Sequence, residues 1–236
     1  MKSTRVHRAD ITSEQYKSIP IHAAKGLHEV VMGVISHRFE QKRTVLELAA
    51  GSGALTQRMI DGGFFVDPVD LSSKGWRVTS IQPTVADFNV SGWQSKLSEL
   101  KYSQIVAIEV IEHLDNPRQF LRDLYALLEP GGKLLVTTPN PVSAMSVALS
   151  MFQERYYVFD RNCYFSTGHV TLIPSWMLGC HAEEAGFKVI ELTSICEPHF
   201  NARWKSMVFF LWRLMIAACR GSSKMNKQIT LAIFEK

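Results

Sequence analysis

The chain has 236 residues, 46% hydrophobic and 20% charged, with 26 Lys and Arg against 22 Asp and Glu for a formal net charge of +4. That balance belongs to an ordinary globular domain and excludes a disordered tail, a collagen-like repeat and a multi-span membrane protein. The charge is too small to indicate nucleic-acid binding alone, so where the charges sit carries more information than their sum.

Residues 1–43 read as a polar arm, 1–18, and a helix from Ile19 to Phe39 with Leu27, Val30, Val31, Val34 and Ile35 at helical spacing. The arm is positively charged, but no apolar stretch follows, so no secretory signal is expected. Residues 44–236 then alternate strands with helices. Thr44–Ala49 breaks into Gly51-Ser-Gly53 and Ala54–Met59, which reads as strand, tight turn and helix. Phe64–Asp70 is a second strand despite Pro68, and Thr84–Asp87 is a short third. Ser103–Glu109 is a fourth, followed by a helix over Asn116–Leu128 that Pro130-Gly-Gly132 closes. Lys133–Thr138 is a fifth strand, Pro174–Ala185 a helix ending at Gly186, and Phe187–Leu192 and Gln228–Phe234 are the last two strands. This rhythm predicts an α/β doubly wound, mostly parallel seven-stranded sheet with helices on both faces. Cys163, Cys180, Cys196 and Cys219 are scattered with no C-x-x-C pair, which suits reduced thiols in a cytoplasmic chain.

Ligands of such sheets bind beyond the carboxyl ends of the central strands. Glycines at the turn after the first strand permit positive φ and close backbone approach, and the next helix offers free N–H groups. Asp70 closes the second strand, where a carboxylate can take both hydroxyls of a ribose. Asp87 closes the third beside Phe88, placed for an adenine amino group with the ring against the base. Either aspartate alone serves equally well as a helix cap.

Glu47-Leu-Ala-Ala-Gly-Ser-Gly53 resembles the first motif of class I S-adenosylmethionine-dependent methyltransferases. Pro68–Ser72 (PVDLS) and Val85–Asn89 (VADFN) resemble that family's second and third strand endings. Ala107–Pro117 (AIEVIEHLDNP), Leu127–Asn140 (LLEPGGKLLVTTPN) and Gly168–Leu192 extend the resemblance across Thr44 to Leu192. It implies a Rossmann-like fold, S-adenosylmethionine as cofactor, and cofactor contacts from Glu47, Ala49, Gly51, Gly53, Asp70, Leu71, Asp87, Phe88 and Glu109. Ala49 stands where the family has its first glycine, which is tolerable if this position keeps φ below zero. The competing class, a nicotinamide-dinucleotide oxidoreductase, requires G-x-G-x-x-G, and here Thr56 occupies the third glycine's place. Acidic Glu47 also suits an ammonium and a sulfonium better than a pyrophosphate. A third reading, a cofactor-binding homologue without catalysis, is motivated by Ala49 and the short Asp70–Asp87 segment.

Methyl transfer to a hydroxyl releases a proton, so a base near neutral pKa helps, and His113 and His169 are the catalytic candidates. Packing or loop capping by His113 is an equal alternative. Glu109, Glu112, His113 and His169 also resemble the divalent-metal set of small-RNA 2′-O-methyltransferases. No basic–aromatic RNA-binding module accompanies them, so no residue is assigned to a metal and no nucleic acid is expected. The aromatic insertion 141–168 is expected to cover the site, with Tyr156, Tyr157 or Tyr164 lining an acceptor pocket. Residues 203–220 combine an apolar heart, Met207–Cys219, with Arg203, Lys205 and Arg220. That suits either a buried or dimer-forming helix or an interfacial helix, placing the chain peripherally at the inner face of a membrane. Similarity to O-methyltransferases of polysaccharide and ubiquinone-type pathways implies a hydroxyl of a sugar, lipid-linked or other small-molecule acceptor.

Overall fold

A computed structural model describes residues 14–98, 101–197, 209–212, 214 and 227–236. The expected arm therefore lies outside the described residues up to 13, and the expected helix 203–220 does so except for helical residues 209–212 and 214. The N-terminal helix is shorter than its periodicity predicts. Gln15–Tyr16 (β1) pairs antiparallel with Ile19–Pro20 (β2), and the helix Leu27–Arg38 (α1) starts only after Gly26, whose φ is +73°. Ile19 and Ile21 are buried against Ala54 and Val78 as extended chain rather than as helix. Leu27, Val31 and Ile35, each four residues from the next, form the buried stripe of α1.

The seven-stranded sheet has the order β5-β4-β3-β6-β7-β9-β8. Its strands are Thr44–Leu48 (β3), Phe65–Asp70 (β4), Thr84–Val85 (β5), Tyr102–Ile108 (β6), Leu128–Pro139 (β7), Lys188–Ile195 (β8) and Ile229–Glu235 (β9). β9 runs antiparallel to both of its neighbours, and the other pairings are parallel, as expected. Alternation along β3 divides the core. Leu46 and Leu48 face the helices Pro117–Leu127 (α3) and Ser175–Ala185 (α6), while Val45 faces α1 and Ala54–Asp61 (α2). Each fully buried leucine in these layers contributes about 1.5–3 kcal/mol of transfer free energy.

Pro130-Gly-Gly132 does not close the preceding helix. α3 ends at Leu127 and β7 begins directly, pairing Leu128 with Tyr102 before the register shifts to Lys133 opposite Gln104. The extra residues bulge, and Gly131 absorbs the bend at φ +74°.

Candidate active site

Beside β3 lie β4 on one side and β6 on the other, so the chain leaves the strand ends in opposite directions and opens a crevice there. The turn after β3 lines it. Gly53 has φ +88°, and a Cβ there would sit 2.5 Å from Val78 Cγ2, so this position requires glycine. Above Gly51 (φ +59°) no atom lies within 4 Å of a virtual Cβ, which leaves the turn open to a ligand. Ala49 departs from expectation: its φ is +59°, not negative, so alanine occupies a left-handed position that costs about 1–2 kcal/mol. Glu109, at the end of neighbouring β6, is likewise left-handed at φ +50°. Two non-glycine strains thus flank the mouth of the crevice.

Asp70 is fixed at the end of β4. Its Oδ2 accepts the Gly51 N–H at 2.8 Å and its Oδ1 the Ser72 N–H at 3.1 Å. Lone pairs remain on both oxygens for hydroxyl donors. Leu71 follows it, exposed. Asp87 accepts the Asn89 N–H through Oδ1 at 2.9 Å, a turn-forming contact. Phe88 is half-buried and packs against the core, its ring centroid 4.8 Å from Trp93 and 5.6 Å from Phe120.

A partly open cavity of about 80 Å³ lies against the turn, lined by Glu47, Ala49, Gly51, Ser52 and Glu109 from the sheet side and by His22 and His28 from the N-terminal segment. Glu47 is buried, and desolvation pushes its carboxyl up to about 8 although Thr56 Oγ1 donates to it at 2.5 Å. His22 Nε2 lies 3.1 Å from Ser52 Oγ. His28 is buried with Nδ1 unpartnered, and desolvation followed by the Arg58 charge lowers it to about 4. An unpaired imidazole nitrogen and a neutral carboxyl lining one cavity fit a zwitterionic amino-acid group, whose carboxylate and ammonium they can pair. Reading residues 1–43 as separate from the catalytic domain missed both histidines. The available signal was His28, adjacent to Leu27 on the buried stripe of α1.

Beyond β6, the 3-10 turn Ile111–His113 carries the next group of side chains. Thr137 Oγ1 donates to Glu109 Oε1 and Thr138 Oγ1 to Glu112 Oε2, each at 3.0 Å, so the two threonines of β7 hold the two acids. Desolvation raises both carboxyls, and the Glu109 charge raises Glu112 further. Glu112 Oε1 is buried without a hydrogen-bond partner and lies 4.0 Å from His113 Nε2. His113 and His169 meet edge to face with centroids 4.8 Å apart. His113 Nδ1 donates to the Gly168 carbonyl at 3.1 Å and His169 Nδ1 to the Val158 carbonyl at 2.9 Å. A carbonyl only accepts, so both rings keep a lone pair on Nε2. Burial lowers both, His169 to about 4, and holds them neutral. Ligand atoms of Glu112, His113 and His169 all lie within 4.8 Å of one another, a set able to hold a divalent ion. Glu109, the fourth member suggested by resemblance, is not part of this set and lines the cavity at the turn instead.

The insertion 141–168 folds into the helices Ala144–Gln153 (α4) and Arg161–Ser166 (α5). Ser143 caps α4, Ser146 Oγ donates to the Asn140 carbonyl at 3.3 Å, and the insertion returns where the Val170 and Thr171 N–H groups both donate to the Glu112 carbonyl. Phe159, Arg161, Tyr164, Phe165, His169 and Leu172 line a second, open cavity of about 470 Å³. Of the three tyrosines expected there, Tyr164 lines it; Tyr156 pairs with Phe159 in a local bridge, and the Tyr157 N–H donates to Ser146 Oγ.

The model of a methyltransferase-domain family matches residues 24–192. A ubiquinone biosynthesis O-methyltransferase of Xanthomonas axonopodis pv. citri is 30% identical over 144 residues, 58% of this chain and 59% of that protein. One from Coxiella burnetii is 25% identical over 162 residues, 64% of this chain and 66% of that protein. The chain thus spans under two thirds of the length of such curated relatives, and 42% of one from Rickettsia typhi. Among solved structures, a SAM-dependent methyltransferase from Archaeoglobus fulgidus superposes with TM-score 0.62 at 16% identity, covering 89% of this chain and 94% of that one. One from Mesorhizobium loti gives 0.61 at 14% identity, covering 89% and 99%.

Proposed function

From the premise that this chain belongs to the methyltransferase-domain family, among the class I S-adenosylmethionine-dependent methyltransferases, we propose that it methylates a hydroxyl oxygen of a small or lipid-linked molecule. The observation that carries the oxygen assignment is the pair of neutral imidazoles, His113 and His169, which meet edge to face and of which His169 lines the open cavity. The O-methyltransferases among its relatives support the same acceptor atom.

When bound, S-adenosylmethionine supplies a methyl group on a sulfonium, an electrophile that needs alignment more than activation. The Gly51–Gly53 turn and Asp70 would hold its nucleoside, and Glu47, His28 and His22 its amino-acid end. Asp70 is preset by two backbone N–H groups, so it meets ribose hydroxyls without reorganising. Glu47 gives up its proton beside an ammonium, since a neighbouring cation offsets the burial that keeps it neutral. Phe159, Tyr164 and Phe165 seat the acceptor and exclude water, and His113 Nε2 takes the hydroxyl proton. Glu112 Oε1 at 4.0 Å then faces the imidazolium that forms.

The test is calorimetry with S-adenosylmethionine and NAD(P), followed by turnover of isotopically labelled donor against phenolic and sugar hydroxyls, with mass spectrometry of the product. Donor binding and an O-methyl product are expected. Binding of the dinucleotide alone overturns the proposal, as does a methyl group found on nitrogen or carbon.

The Glu112–His113–His169 cluster favours a second reading, in which a divalent cation assists. Such an ion would acidify the acceptor hydroxyl, with Glu112 Oε1 and the two Nε2 atoms as its protein ligands. Turnover that survives exhaustive chelation disposes of this reading; loss on chelation and recovery with Mg²⁺ or Mn²⁺ supports it.

A further inference from the structure

We propose that α4 and the helical residues 209–212 and 214 form a face that seats this protein on an anionic lipid surface. Five large apolar side chains stand more than half exposed on these two elements: Met151, Phe152, Phe210, Leu211 and Leu214. They belong to one surface. The Trp212 indole N–H donates to the Ala144 carbonyl at 2.8 Å, and its ring lies 6.1 Å from Phe152. α4, with the sequence AMSVALSMFQ, carries no charged residue. A contiguous exposed apolar patch of this kind marks an interaction site on a soluble fold.

Charge selects the occupant. Between residues 198 and 234 the chain carries Arg203, Lys205, Arg213, Arg220, Lys224 and Lys227 and not one Asp or Glu. Arg213 falls between two residues of the patch, Trp212 and Leu214. Lys205 precedes Phe209 by four residues, so covalent geometry keeps it within about 14 Å along the chain. Apolar anchors bracketed by cations match the acyl boundary and negative headgroups of a bilayer. A second copy docked by two-fold symmetry would instead bring this cationic stretch against itself. No helix among the described residues is long and apolar enough to cross a membrane, and the ten residues of α4 fall well short of the roughly 20 that a span needs.

The face connects to the acceptor side. α4 reaches Tyr157 through the Ser146 hydroxyl, the Tyr156–Phe159 bridge follows, and the Phe159 ring lies 5.5 Å from His169. A hydroxyl carried on a membrane-dissolved molecule would therefore arrive on the same side as the imidazole pair.

Flotation of the full chain with vesicles tests this without any turnover, so it is independent of the proposed methyl transfer. Vesicles of phosphatidylcholine with phosphatidylglycerol should bind the protein, phosphatidylcholine alone should bind it poorly, and high salt should release it. The triple variant Phe152→Ser, Phe210→Ser, Leu211→Ser should bind at least about tenfold more weakly. Phe152→Ser alone should weaken binding measurably, which covers the case of a triple variant that does not fold. Phe65→Ser, an exposed apolar residue on β4, should change nothing. Binding that ignores phosphatidylglycerol, or that folded patch variants retain in full, overturns the proposal. So does light scattering that shows a dimer dissolved by the same substitutions with no vesicle binding.

Discussion

The cavity proposed for the donor, about 80 Å³, lies among backbone turns and carboxyls, whereas the one proposed for the acceptor spans about 470 Å³ among aromatic rings, two of which, Tyr164 and Phe165, stand more than half exposed. On the donor side burial sets the chemistry: it neutralises Glu47 and keeps His28 uncharged, beside the left-handed backbone of Ala49 and Glu109. On the acceptor side Asp160 and His169 are held by hydrogen bonds, and the aromatic rings around them supply shape. A small polar site should respond sharply to single atoms, and a wide aromatic one gradually to area.

The largest effect is expected where the two sides meet. His113→Ala should lower kcat by about 10²–10⁴ while leaving the calorimetric affinity for the donor unchanged; an equal loss of donor affinity would place His113 on the donor side. Acid stability should report His28 on the donor side together with His169 on the acceptor side. His28 binds a proton near 6.5 when unfolded but only at about 4 when folded, so its stabilising burial is intact above 6.5 and lost as pH falls toward 4. That difference amounts to about 3 kcal/mol, and urea melts of His28→Gln should show a flatter decline with acid, the remainder coming from His169.

Asp70→Ala should weaken donor binding by about 10–100-fold, while Phe165→Ala should raise only the acceptor KM, by a few-fold. If Phe165→Ala weakened the donor equally, the two cavities would behave as one. The smallest effect is a gain. Ala49→Gly relieves a left-handed alanine and should raise stability by up to about 1 kcal/mol in thermal melts.

What was legible in the sequence follows the same division. Period and turn chemistry are local, so the strand ends at Leu48, Asp70 and Ile108, and hence the positions of Gly51, Gly53, Asp70 and Glu109, were readable from one stretch each. Periodicity failed where a distant contact overrode it: Ile19 and Ile21 look like the start of α1 but are pinned as extended chain by Ala54 and Val78. The roles of His22 and His28 were invisible because the cavity that gives them meaning joins residues far apart in sequence. The same holds for Thr137 and Thr138, which read as plain strand residues until β6 and β7 set them against Glu109 and Glu112. The positive φ at Ala49 stands next to Ala50, whose N–H donates to the Val69 carbonyl of β4, a distant contact that no local propensity records.

The insertion is tied at one end by the Asn140–Ser146 knot and at the other by two N–H groups on the Glu112 carbonyl, and both ties use atoms or residues outside its aromatic lining. Between these ties the segment also supplies the Val158 and Gly168 carbonyls that orient His169 and His113. The stretch that lines the open cavity with Tyr164 and Phe165 thus also sets the direction of both imidazoles, so a change of acceptor shape and a change of proton acceptor are written in one piece of chain.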